Sequence, residues 1–235
     1  MKHIGLIGGL SPESTVHYYE QLYRTYNERF GKLHFPELTI RTINLQRLAP
    51  HFDTDDWESV AEILLEALDA LHGAGCDFAA ILANTPHNAY ERLKDRSPLE
   101  ILTIMDASAD ALVADERNVV GLLGTRPTME YGFFQKSFAD RGLETRIPGP
   151  EHRRALDQII WEELSHGVVE PRSRELARAM IAQLENDGVD AVLLACTELN
   201  MLVKPEDSRC RQYDTAAIHS DAILAYALAD RTDPD

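Results

Sequence analysis

Cysteine is scarce in this 235-residue chain: Cys76, Cys196 and Cys210 are an odd number with no C-x-x-C pair. That excludes a disulfide scaffold and a thiolate zinc site. Cations are outnumbered, 23 Lys and Arg against 39 Asp and Glu, which leaves a formal charge of −16. Nucleic-acid binders need clustered Lys and Arg to displace phosphate counterions, so no nucleic-acid partner is expected. Long hydrophobic runs are missing as well. None approaches the roughly 20 residues of a membrane helix, and the apolar run after Met1 is too short for a secretory leader. A cytoplasmic protein with no membrane partner is expected. The nine histidines show no H-x-x-H or H-E-x-x-H spacing, so no metal is expected. Neither a G-x-S-x-G elbow nor a Walker lysine occurs.

What is present is a 44% hydrophobic chain in which short Ile, Leu and Val runs alternate with helical patterns. Strands are expected at 3–9, 37–45, 78–84, 101–105, 119–125, 191–196 and 211–213. Most are apolar throughout, as parallel strands covered on both faces are. Helices are expected at 12–30, 55–73, 151–166, 171–186 and 215–229, the first with Ser11 as N-cap and Pro12 in its first turn. This alternation predicts an α/β fold with parallel sheets.

The chain also echoes itself. GLIGG at 5–9 resembles GLLGT at 121–125, and ILANT at 81–85 resembles LLACT at 193–197. The offsets are 116 and 112 residues, in the same order. Two pseudosymmetric α/β halves follow, 1–115 and 116–210, each a mainly parallel sheet flanked by helices. A C-terminal strand and helix, 211–235, are expected to return to the first half. An active site is expected in the cleft between the halves, where strand C-termini converge.

Several strand ends carry chemistry. The glycines of GLIGG do not fit G-x-G-x-x-G, so no nucleotide cofactor is expected, but the turn through Gly9 and Leu10 is read as offering main-chain N–H groups to an anion. Cys196 closes an apolar strand just before a predicted helix start at Thr197–Asn200. A helix N-terminus there lowers a thiol pKa, making Cys196 the candidate thiolate; the plainer reading is a small buried apolar residue. Cys76 and Cys210 are read as incidental. Asn84 and Thr85 are placed to bind a carboxylate or simply to cap a helix. Arg47 is read as a bidentate carboxylate clamp. His219 and His166 are candidate proton carriers, although lone histidines are more often structural.

In this order and spacing, GLIGGLSPEST, ANTPHN, GLLGTRPTME, LLACTELN and DTAAIH resemble the aspartate/glutamate racemase family, from Ile4 to about Leu228. The resemblance implies an isomerase for a small-molecule amino acid, working without pyridoxal, metal or nucleotide, and a homodimer. One thiolate removes the α-proton and a second cysteine returns one to the opposite face. It assigns Cys196 to the second cysteine, and Asn84 and Thr85 to a substrate carboxylate. Thr128, Thr197, Glu198 and Arg47 fall to the substrate-binding loops, beside the turn through Gly9 and Leu10 read above from its glycines. The lysine of some aspartate-specific members is Ser165 here.

The first cysteine of the family is Ala83. A methyl group can neither take nor give a proton, so the two-thiol mechanism cannot run as written. The internal repeat hides this, because it pairs Ala83 with Ala195 and Asn84 with Cys196. Four readings stay open: a deliberate replacement, a racemase using Cys196 alone, a one-cysteine decarboxylase or isomerase of the same superfamily, and a non-catalytic amino-acid-binding homologue.

Overall fold

A computed structural model describes residues 1–31 and 33–229. The strands are β1 (Ile4–Gly8), β2 (Leu38–Thr42), β3 (Phe78–Ile81), β4 (Glu100–Leu102), β5 (Val119–Gly124), β6 (Glu144–Arg146), β7 (Ala191–Ala195) and β8 (Arg211–Asp214). They form two four-stranded parallel sheets, ordered β2-β1-β3-β4 and β6-β5-β7-β8. The echoed segments are therefore the two central strands of each sheet. Every residue of β1, β3 and β7 is buried, as expected for strands covered on both faces.

The chain divides into two compact units, 1–104 with 216–235, and 105–215. In the first, Ile4, Leu6, Phe78 and Ala80 pack with Tyr18 and Leu22 of the helix Pro12–Phe30 and with Ile223 and Ala227 of the helix Thr215–Leu228. Each such large side chain contributes roughly 1.5–3 kcal/mol by leaving water. The helix Trp57–Gly73, capped by Asp56, buries Val60, Leu64, Leu68 and Leu71. In the second unit the helices Pro150–Glu162 and Pro171–Asn186 bury Leu156, Ile160, Ile181 and Leu184 with Val192 and Leu194 of β7.

The segment 211–235 splits its allegiance: β8 pairs with β7 in the second sheet, while the helix after it supplies the first unit's core. The part of that segment beyond 229 lies outside the described residues. The apolar run 101–105 is also divided, with β4 ending at Leu102 and a helix starting at Ile104.

Both sheets close their starts with an aspartate. Asp77, just before β3, accepts the His3 N–H at 2.6 Å and donates its own N–H to the His3 carbonyl at 2.9 Å. Asp190, just before β7, accepts the N–H groups of Asn118 and Val119 at 2.9 and 3.2 Å and donates its N–H to the Val119 carbonyl at 2.9 Å.

Candidate active site

In the first unit, the turn after β1 is built on Gly9. Its φ of 79° and a Cβ that would stand 2.3 Å from the Ile43 carbonyl leave no room for a side chain. Ser11 caps the following helix, accepting the Ser14 N–H at 3.1 Å. The Gly9 N–H, read from sequence as an anion donor, is donated to Thr15 Oγ1 at 2.8 Å. The turn thus satisfies itself through Thr15 and Ser11, and Leu10 is its half-buried tip.

Beyond β3, Ala83 and the buried Asn84 lead into a 3-10 turn, Thr85–Ala89. His87 governs this loop: its Nδ1–H donates to the Ala83 carbonyl at 2.8 Å, and its Nε2 accepts the Ile104 N–H at 3.3 Å. Its ring lies 6.2 Å from that of His219. His219 in turn donates Nε2–H to the Leu102 carbonyl at 2.9 Å and accepts the Tyr18 hydroxyl at Nδ1, 3.0 Å away. Burial, then the neighbouring His87, push the His219 pKa down to about 3. His219 is therefore a neutral structural imidazole and not the proton carrier that its sequence position allowed. Sequence reading named His87 only within ANTPHN and gave it no role; its signal was a histidine four residues after a strand-end carbonyl.

Arg47 sits on the short 3-10 turn Leu45–Arg47, half exposed, and its Nη2 meets Glu66 Oε2 at 2.8 Å. The guanidinium that the sequence assigned to a substrate is engaged by Glu66. His166 likewise meets Ser165 Oγ at 3.1 Å on an exposed turn.

In the second unit, Gly124 ends β5. A Cβ there would stand 2.9 Å from the Ala195 carbonyl and 3.0 Å from Thr128 Cγ2, so its absence lets Thr128 lie against the end of β7. Thr125 caps the helix Arg126–Glu130, and its hydroxyl meets that of the fully buried Thr128 at 2.9 Å.

Cys196 follows β7 and is buried against Leu199, Leu202 and Val203. Its Sγ–H donates to Glu198 Oε2 at 3.0 Å, and the Thr197 hydroxyl donates to the same oxygen at 2.7 Å. Burial pushes the thiol well above its ordinary pKa, and the Glu198 charge adds to this. The N–H groups of Glu198 and Leu199 oppose it only in part. The expected lowered thiol pKa is overturned: the helix that follows, Leu199–Leu202, has a single turn and too little dipole to offset burial beside a carboxylate. The resting group is a protonated thiol. Asn200 ties this loop to β8 by donating to Asp214 Oδ2 at 2.7 Å, and Thr215, just after β8, donates to the Leu194 carbonyl of β7 at 3.2 Å.

Among the described residues, no group of three or more His, Cys, Asp or Glu side chains is placed to hold a metal ion. No helix among them is long and apolar enough to cross a membrane.

Comparison with known proteins identifies the family and the fold. The model of the Asp/Glu/Hydantoin racemase family matches residues 7–223. The broad specificity amino-acid racemase RacX of Bacillus subtilis is 23% identical over 236 residues, covering 96% of this chain and 98% of that protein. A candidate Asp/Glu racemase from Yersinia pestis is 34% identical, with a TM-score of 0.92 over 97% of this chain and 100% of that one. An aspartate racemase homologue from Pyrococcus horikoshii is 35% identical, with a TM-score of 0.82 over 97% and 99%. Family match and fold coincide, and the chain belongs to the Asp/Glu/Hydantoin racemase family, whose members are isomerases.

Proposed function

We propose that this chain exchanges the α-proton of an amino acid, Asp, Glu or a broader set, with Cys196 as the thiol acid/base and without a cofactor. The buried Cys196 thiol at the end of β7, hydrogen-bonded to Glu198, is the observation that carries the reading. Asn84 and Thr85 hold one substrate carboxylate; Thr128, Thr197, Glu198 and Arg47 complete the substrate contacts. Arg47 takes this role only after leaving Glu66, an exposed pair whose rupture costs little.

Ala83 sets the outcome. Losing one member of an acid/base pair costs about 10²–10⁴ in rate. The chain is therefore expected to exchange the α-proton on the face Cys196 serves much faster than it inverts the centre. Incubation of each enantiomer in D₂O measures both rates. Ala83→Cys is expected to raise inversion by about 10²–10⁴, and Cys196→Ala to abolish exchange. Deuterium entering neither enantiomer in the Ala83 chain or in Ala83→Cys refutes the proposal.

One observation favours a second reading. A thiol held protonated is the state in which a decarboxylase needs its single donor. CO₂ release from a disubstituted malonate, lost in Cys196→Ala, is its test.

A cytoplasmic homodimer completes the proposal. Val16 and Tyr19 on the outer face of the helix Pro12–Phe30, with the nearby Phe35, form an apolar strip on the first unit. Such strips suit protein contacts. Light scattering at twice the chain mass is the expected result.

A further inference from the structure

Just past β3, the Leu82 N–H still reaches the Ile7 carbonyl of β1 at 3.0 Å. The two carbonyls that follow are each taken by a side chain. Leu82 accepts from Ser14 Oγ at 2.8 Å, and Ala83 accepts from His87 Nδ1–H at 2.8 Å. The echoed loop of the second unit repeats the first of these contacts and not the second. There the Leu194 carbonyl, matching Leu82, accepts from Thr215 Oγ1 at 3.2 Å. The residue matching His87 is Leu199, fully buried. Both turns close with the same main-chain bond, His87 N–H to Asn84 at 3.0 Å and Leu199 N–H to Cys196 at 3.1 Å. A turn of this form therefore closes around an apolar side chain, and folding alone does not call for an imidazole at His87.

The partners of that imidazole define its state. A main-chain N–H only donates and a carbonyl only accepts. Nε2, which takes the Ile104 N–H at 3.3 Å, is therefore bare, and Nδ1 carries the proton. With both nitrogens engaged and 1% of the residue exposed, the ring is arranged to hold and not to carry protons. Across a planar trans peptide, the carbonyl and the next N–H point opposite ways. The Ala83–Asn84 peptide thus turns its carbonyl to His87 and its N–H away from it. The residues on either side of this peptide are the two that the proposed chemistry places against substrate.

We propose that His87 is a positioning residue for α-proton exchange, setting the plane of the Ala83–Asn84 peptide and so the directions of the side chains at 83 and 84. This rests on the α-proton chemistry proposed above. Negative charge spreads into the substrate carboxylate as the α-proton leaves, so a misdirected Asn84 costs more in the transition state than in binding.

Two substitutions separate holding from folding. His87→Asn puts an amide N–H where Nδ1–H stands, keeping the Ala83 contact and losing the Ile104 contact. His87→Gln reaches as far as Nε2 and offers its amide oxygen to the Ile104 N–H, losing the Ala83 contact. Each leaves one main-chain group without its side-chain partner, so both are expected to melt earlier than the parent chain by similar amounts. α-Deuterium incorporation in D₂O is measured for the parent chain, both variants and Cys196→Ala, over a range of substrate concentrations and below every melting transition. Maximal exchange is expected to fall about 10²-fold in His87→Gln with KM little changed, the scale of a reacting group displaced by roughly an ångström, and His87→Asn is expected to restore most of it. His87→Asn at least about tenfold faster than His87→Gln supports the proposal. A smaller gap, the reverse order, or a difference carried by KM alone overturns it. The ring itself is read without substitution, by long-range proton–nitrogen correlation in the parent chain with isotope-labelled histidine. His87 is expected as the Nδ1–H form and His219, which donates from Nε2, as the opposite form. An Nε2–H or doubly protonated His87 overturns the proposal, and this measurement decides if neither variant folds. No Cys196-dependent exchange in the parent chain refutes the functional reading and takes this proposal with it, whereas equal exchange in the two variants refutes the proposal alone.

Discussion

Acid should loosen the first unit through one imidazole. His219 is fully buried, and burial followed by the nearby His87 lowers its pKa from 6.5 to about 3. The folded chain thus binds this proton only near pH 3, while the unfolded chain binds it below 6.5. The stabilisation from keeping His219 neutral is fully present above pH 6.5 and is lost as pH falls through that window. At pH 5, about 1.5 pH units below the unfolded value of 6.5, the loss at 1.36 kcal/mol per unit is about 2 kcal/mol, and at pH 4 about 3 kcal/mol. His219→Gln removes the titration while keeping an N–H for the Leu102 carbonyl. The chain has two tryptophans, Trp57 buried in the first unit and the half-exposed Trp161 in the second. In a Trp161→Phe background, urea unfolding followed by fluorescence therefore reports the first unit. Between pH 7.5 and 5, the parent should lose about 2 kcal/mol more than His219→Gln. A difference below about 0.5 kcal/mol refutes the reasoning, since that is the scatter of independent effects.

Gly9→Ala should cost about 2–4 kcal/mol in the same assay, from left-handed strain plus the clash with the Ile43 carbonyl. In the second unit, Glu185 accepts from Ser208 Oγ, from Arg209 Nε and N–H, and from the Cys210 N–H. Burial opposes its ionisation, but these donors bring its pKa down to about 2 from 4.5. Glu185→Gln should cost about 2 kcal/mol at pH 7, and it should flatten the stability loss as pH falls from 4.5 towards 2, read by Trp161 fluorescence. Tyr19→Glu should halve the mass seen by light scattering while leaving far-ultraviolet circular dichroism unchanged.

The fold was legible where patterns were long and apolar. The central strands β1, β3, β5 and β7 and the helices Pro12–Phe30, Trp57–Gly73 and Pro171–Asn186 lie where hydrophobic spacing places them. What escaped had physical reasons. β6, Glu144–Arg146, is a short charged edge strand with no buried residue to reveal it. The run 101–105 is apolar in both its strand and its helix portions, and periodicity cannot separate the two over five residues. Among the candidate site residues, Cys196 and Asn84 were readable as strand-end residues. The protonation of Cys196 was not, because it depends on how deeply the loop sinks and on Glu198 folding back onto sulfur. Nor was the engagement of Gly9 by Thr15, or of Arg47 by Glu66; both follow from side-chain directions that spacing does not encode.

The aspartate clamps carry a consequence for how this family can drift. Asp77 and Asp190 lock each sheet at the rim where its central strands begin. The residues proposed to carry the chemistry, Ala83 and Cys196 among them, stand at the opposite ends of those strands. Anchorage and chemistry are thus inherited as separate properties. A change of side chain at position 83 therefore leaves untouched the clamps that keep the first sheet in register. The same scaffold is left free to search for new reactions.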